Sequence, residues 1–150
     1  MKIRAAQKSD LKECEKIFHI PEMKESDGEY LDAKFLSYYL DKKYFLVAEE
    51  DNTIIGAIFG EPLKGKGIIV WDFVVKKKYR GNGIGKALLA KIEHNAKQDG
   101  LEWIMLYSTN NKQTLEFYTN SHYNKGTKYV EFLKNIKRLG HFRSYFDRIE

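Results

Sequence analysis

Two rhythms of apolar residues succeed one another along this chain. KIRAA reads as a short strand. LKECEKIFHI then carries a helical period that Ser9 or Asp10 caps and Pro21 ends. Residues 21–29 are polar, contain Gly28, and read as a loop. In EYLDAKFLSYYLDK the apolar Leu31, Phe35, Tyr38 and Tyr39 recur at helical spacing, as the packing stripe of a second helix. The texture then becomes β-branched and aromatic. YFLVAEE, TIIGAIFG and GIIVWDFVV are separated by DN and LKGKG, which predicts an antiparallel meander. GKALLAKIEHNAKQDG returns to a helix, with Ile84, Leu88, Leu89 and Ile92 on one face and Gly100 as its stop. LEWIMLYST is a fifth strand, NKQTLEFYTN a short helix, and YNKGTKYVEFLKNI one or two closing strands. The outcome is a mixed α/β fold of the α+β kind in one domain over residues 1–150. The basic aromatic tail 137–150 has no assigned place.

Composition narrows the class of protein. With 43% hydrophobic and 31% charged residues, 150 residues make a globular chain able to bury a core. The apolar runs are too short to span a bilayer, and the first ten residues lack a signal-peptide core, so a cytoplasmic setting and no membrane partner are expected. Cys14 is the only cysteine, which excludes an internal disulfide and fits a reducing compartment. A net charge of +5 favours anionic ligands without naming one. No zinc spacing and no RNA-binding signature accompany it, so nucleic acid is not the expected partner. His19, His94, His122 and His141 are scattered, and no metal is expected.

The candidate chemistry lies in YRGNGIGKALL, residues 79–89. A glycine-rich turn opening a helix offers unpaired backbone N–H groups to an anion. A Walker A loop is excluded, because Arg80 stands where its first glycine belongs and Ala87 where its hydroxyl belongs. The dinucleotide fingerprint fails too, with Lys86 in place of its third glycine. Arg80, Gly81, Asn82, Gly83, Ile84 and Gly85 instead fit Q/R-x-x-G-x-G/A between a strand and an amphipathic helix. This resembles the pyrophosphate loop of the GNAT N-acetyltransferase superfamily. Downstream, Asn111, Thr114, Phe117 and Tyr118 are spaced like that family's N-x-x-A/S-x-x-F/L/I/V-Y. His122 and Tyr123 replace the Gly-Phe pair common after it.

The resemblance covers about residues 2–136, the core of the domain, and implies a GNAT-like fold. Its central sheet would be mixed and mostly antiparallel, with six or seven strands, about four flanking helices, and a splay at the strand before the loop. It implies acetyl-CoA as co-substrate. Backbone amides of Arg80–Lys86 would hold its pyrophosphate, the main chain of Phe73, Val74 and Val75 its pantetheine arm at a bulge, and Asn111 the pantetheine or pyrophosphate region. Arg80 and Lys86, more than Lys76–Lys78, would meet its phosphates. Tyr118 takes the place of the family's proton donor to the leaving thiolate, and it also borders the coenzyme.

The acceptor amine must lose a proton as well. With a pKa of about 10.4, an alkylamine is neutral in only about one molecule in 2,500 at pH 7. Asp72, an acid inside VWDFVV, is one candidate base. Strict alternation places it with Val70 and Val74, opposite Trp71 and Phe73. A salt bridge or helix-capping contact explains it equally well. Glu61, at the end of the preceding strand, is the other candidate, as base or as amine-binding group. The expected activity is acetyl transfer from acetyl-CoA directly to a primary amine, small molecule or peptide, in a ternary complex. The alternative is an inactive acetyl-CoA-binding or sensing module. A homodimer is compatible with the family and with the tail HFRSYFDRIE.

Overall fold

The change of rhythm near residue 44 marks the entry to a sheet. The computed structural model describes residues 1–24 and 30–126. In it β1 (Lys2–Ala5), β2 (Phe45–Glu50), β3 (Thr53–Leu63), β4 (Gly67–Val75) and β5 (Trp103–Leu106) lie side by side in sequence order. The pairs β1–β2, β2–β3 and β3–β4 are antiparallel. Asp51 and Asn52, with φ of 47° and 57°, make the tight two-residue turn that antiparallel strands need between β2 and β3. β5 runs parallel to β4. A parallel partner requires a crossover, which α3 (Ile84–Gln98) supplies.

α1 (Leu11–Phe18) ends two residues before the expected Ile20. Asp10 stands at its N-cap position without capping it. The Asp10 carboxylate turns back to accept the Gln7 N–H at 2.7 Å and both ends of the Arg4 guanidinium at 2.6 and 3.0 Å. The second expected helix is broken. α2 covers only Ala33–Ser37, capped where the Asp32 carboxylate accepts the Phe35 N–H at 2.7 Å, and a 3-10 turn follows at Leu40–Lys42. Ser37 donates back to the Lys34 carbonyl, a local bond that competes with helix continuation. The buried stripe is therefore Leu31, Leu36 and Tyr39, while Tyr38 is exposed. α3 buries Ile84, Leu88, Leu89 and Ile92 as expected, and Ala96 with them.

One face of the sheet carries an aromatic cluster, in which Phe59 meets Phe18 and Phe45 at 5.6 Å and Tyr39 at 4.6 Å between ring centroids. α3 packs on the sheet as well, and its Leu88 lies against Gly56. The far end of α3 is fixed where the Tyr44 hydroxyl donates to Asp99 at 2.7 Å.

The described residues fall into two compact units, Met1–Ile20 with Leu31–Leu106, and residues 21–24 and 30 with 107–126. The second contains α4 (Lys112–Thr119). Five strands are described. The expected closing strands fall largely on residues 127–136, outside the described residues like the tail 137–150, and Tyr123–Gly126 are not in a strand. No helix among the described residues is long and apolar enough to cross a membrane.

Candidate active site

A bulge decides where the two carboxylates stand. Phe59 pairs with Asp72 and the next residue, Gly60, pairs with Val70, so Trp71 is the extra residue on β4. Directly paired residues share a face, and successive residues of β3 alternate. Asp72 therefore shares the aromatic face with Phe59, Ala57 and Val74, while Val70 sits on the other face with Gly60. Strict alternation, which grouped Asp72 with Val70, fails at this extra residue. Past the bulge Glu61 pairs with Ile69, so Glu61 returns to the face of Phe59 and Asp72. The two carboxylates are diagonal neighbours of one ladder, about 7–8 Å apart at the backbone for such positions. Asp72 is 4% exposed and Glu61 half-buried. Trp71, expected opposite Asp72, reaches to this side and donates its indole N–H to Glu61 Oε1 at 3.0 Å.

Gly60 makes the bulge possible. A Cβ there would lie 2.2 Å from the Ile69 carbonyl oxygen, closer than any side chain allows. The bulge lies between β4 and β3, on the opposite side of β4 from β5. The ladder with β5 covers Gly67–Val70 and ends there, whereas β4 itself continues to Val75. The bulge expected at Phe73–Val75 lies instead at Trp71, and Phe73, Val74 and Val75 pair with Ile58, Ala57 and Gly56 of β3 beyond the end of the β5 ladder.

The glycine turn itself follows a 3-10 turn at Lys77–Tyr79. Gly81 and Gly83 have φ of 82° and 78°, a left-handed conformation that L side chains rarely take, and a Cβ at either would meet no atom within 4 Å. Gly83 is the N-cap of α3 and contributes no side-chain cap, and the Ala87 N–H makes the first bond back to its carbonyl. The N–H groups of Ile84, Gly85 and Lys86 precede that first bond and point out of the helix N-terminus, where the dipole favours an anion. Ile84 is buried, whereas Gly81–Gly83 and Lys86 are exposed. Open space over positive-φ glycines and an uncapped helix start fit a diphosphate group.

The charged residues around the turn have distinct tasks. Arg80 bends back and donates through Nε to the Val75 carbonyl at 2.9 Å. Asn82 donates to the Tyr79 carbonyl at 3.4 Å. Lys76 is bound by Glu13 of α1 at 2.6 Å, and Lys78 lies 4.7 Å over the Tyr79 ring. Thus the run 76–78 is not a uniform solvated stretch. The Glu13–Lys76 and Glu61–Trp71 contacts join distant positions, so no local pattern announced them. The sequence reading passed over Gly60, although an isolated glycine in a strand is a signal of a bulge or a close approach.

In the second unit, Asn111 caps α4. Its Oδ1 accepts the Thr114 N–H at 2.9 Å and its Nδ2 donates to Thr109 Oγ1 at 2.8 Å. Tyr118 stacks edge-on against Phe117 and Tyr123, and burial pushes its phenol up to about 12. His122, where the family commonly has glycine, adopts a positive φ of 65°. Its N–H bonds to the Thr119 carbonyl and that of Tyr123 to the Tyr118 carbonyl, which closes the helix end. Cys14 is fully buried and its thiol is pushed up to about 12, chiefly by that burial, so it is no ready nucleophile. No group of three or more His, Cys, Asp or Glu able to hold a metal ion occurs among the described residues.

Residues 9–123 match the Acetyltransferase (GNAT) family. Comparison with curated proteins gives no match. Among solved structures, the chain is similar to an aminoglycoside acetyltransferase from an uncultured soil metagenomic sample, in complex with sisomicin. The identity is 20%, the coverage 91% of this chain and 96% of that one, and the TM-score 0.73. The ribosomal-protein-S18-alanine N-acetyltransferase of Escherichia coli is similar at 16% identity, covering 84% and 79%, with a TM-score of 0.68. The paia N-acetyltransferase of Thermoplasma acidophilum, in complex with coenzyme A, is 22% identical over 79% and 86%, with a TM-score of 0.68. At these identities the likeness carries the fold.

Proposed function

The chain belongs to the acetyltransferase (GNAT) family, and on that premise we propose that it transfers the acetyl group of acetyl-CoA directly to a primary amine in a ternary complex. The observation that carries the reading is the turn after β4. Two open, positive-φ glycines precede a helix whose first N–H groups have no side-chain cap. Solved neighbours complexed with coenzyme A and with sisomicin support a coenzyme together with an amine.

Acetyl-CoA supplies an activated thioester carbonyl. The chain's residues bind the coenzyme and move two protons. The N–H groups of Gly81–Lys86 hold the pyrophosphate, the Arg80 N–H being engaged by the Lys77 carbonyl at 3.2 Å, while the Arg80 and Lys86 side chains add positive charge and the main chain of Phe73–Val75 aligns the pantetheine arm. Asn111, the cap of α4, is the further residue that bonds the pantetheine or pyrophosphate region. Asp72 accepts the proton that the acceptor ammonium must lose before its nitrogen forms the C–N bond. Tyr118 gives its proton to the sulfur as the C–S bond breaks, and the second proton, which the nitrogen sheds on becoming an amide, returns the phenolate to phenol through solvent. Glu61, held by the Trp71 indole N–H, binds the acceptor ammonium. A direct transfer suits a chain whose only cysteine is buried and protonated.

The test is a panel of primary amines (peptide N-termini, lysine, diamines and aminoglycosides) with thiol release from acetyl-CoA as readout. Amine-dependent release, lost in Asp72→Asn, is expected. Tight acetyl-CoA binding with no release for any amine would replace this reading with the coenzyme-sensing one.

A further inference from the structure

Glu13 lies on α1, 63 residues before Lys76, yet the two side chains meet at 2.6 Å. The pair is partly buried, the Lys76 side chain being 25% exposed and that of Glu13 34%. Lys76 is the root of the glycine turn in three ways. Its N–H donates to the Ile55 carbonyl of β3 at 2.8 Å, which closes the sheet side. Its carbonyl accepts the Tyr79 N–H at 2.8 Å, which starts the 3-10 turn leading to Arg80. Its ammonium is held by α1. Lys16 also approaches Glu13, at 3.6 Å, but from an exposed position on the same helix.

We infer that Glu13 is a positioning residue for the pyrophosphate loop: through Lys76 it fixes where β4 ends and so the direction in which the Gly81–Gly85 N–H groups point. The inference rests on the acetyl-CoA reading of that loop. It differs from a direct phosphate contact by Lys76, because Glu13 takes up the ammonium. A loop freed at its root must be ordered each time the coenzyme binds, and that ordering weakens binding.

Charge alone predicts the opposite sign. Replacing Glu13 by Gln removes a negative charge and would favour a polyanionic ligand through the general field. Positioning predicts weaker binding, with a dissociation constant raised about three- to fivefold, the scale of a partly exposed ion pair. It also predicts a raised KM for acetyl-CoA with kcat at saturation retained, the signature of lost uniform binding.

The experiment is calorimetric titration of acetyl-CoA into wild type, Glu13→Gln, Lys76→Met, the exchanged pair Glu13→Lys/Lys76→Glu, and Glu15→Gln as a charge-matched control on α1. Thermal unfolding is followed for each. Expected are similar weakening in the two single variants, recovery to within about twofold in the exchanged pair, and no weakening in the control. Equal or tighter binding by a folded Glu13→Gln, beside a wild type that binds, would overturn the inference and leave the loop assignment standing. Weakening in Lys76→Met alone would also overturn it, in favour of a direct phosphate contact. A folded wild type that binds no acetyl-CoA would overturn the loop assignment and this inference together.

Discussion

A proton donor has to keep its proton until the moment it is needed. Burial pushes the Tyr118 phenol from 10.0 up to about 12, so it stays protonated across the range in which amines become neutral. In the proposed role the active form is the protonated one, and activity that depends on it falls only as pH rises through the raised value. Tyr118→Phe keeps the ring contacts with Phe117 and Tyr123 and removes the hydroxyl. We expect kcat to fall about 100-fold, the usual scale for a positioned acid, with thermal stability nearly unchanged. Wild-type activity should show no loss between pH 8 and 10 assignable to this group. A fall in kcat of less than about threefold would remove Tyr118 from the chemistry. At the same scale, the loop and α4 motifs were legible in the sequence because both are local. Arg80–Gly85 and Asn111–Tyr118 each fit within one turn and one helix start. The partners of Glu61 and Glu13 were not, since Trp71 and Lys76 reach them only through the folded sheet.

At the scale of elements, the β3–β4 bulge brings Glu61 and Asp72 to one face, and Gly60 permits it. A Cβ 2.2 Å from the Ile69 carbonyl oxygen must push β3 and β4 apart or straighten the bulge. Gly60→Ala should cost about 2–3 kcal/mol in urea unfolding and lower acetyl transfer more than coenzyme binding. Wild-type stability in this variant would show that the bulge tolerates a side chain. The same bulge explains why period-two reading put Val70 on the wrong face, since one extra residue inverts every position beyond it. The second helix was overextended for a related reason. Spacing cannot register the local competition at Ser37 or the turn at Lys43, where φ is 64°.

The meander, the crossover helix and its buried face were legible in their order, because period and turn residues agree along the chain. Holding that order together at the N-terminal edge is a charge clamp, in which Arg4 meets Asp10 at 2.6 Å and Glu49 at 2.5 Å. The Arg4 guanidinium holds the Asp10 carboxyl below its ordinary 3.8. A depressed carboxyl contributes its stabilisation fully above the ordinary value and loses it as pH falls through the folded one. Arg4→Met should therefore be less stable than wild type at pH 7 by about 2 kcal/mol, as expected for a partly buried charged pair. The gap should narrow below pH 3.8, as acid unfolding curves of the two proteins would reveal. A gap independent of pH would mean that the Arg4 stem, rather than its charge, supports β1.

For the molecule as a whole, the proposed activity depends on the turn after β4 holding the diphosphate of acetyl-CoA. The most direct measurement is calorimetric titration of the wild-type protein with acetyl-CoA, with adenosine as the control lacking phosphate. Saturable one-site binding in the micromolar range, about −8 kcal/mol, is expected for acetyl-CoA, and none for adenosine. Equal binding of both ligands, or no heat from a folded protein, would contradict the proposal.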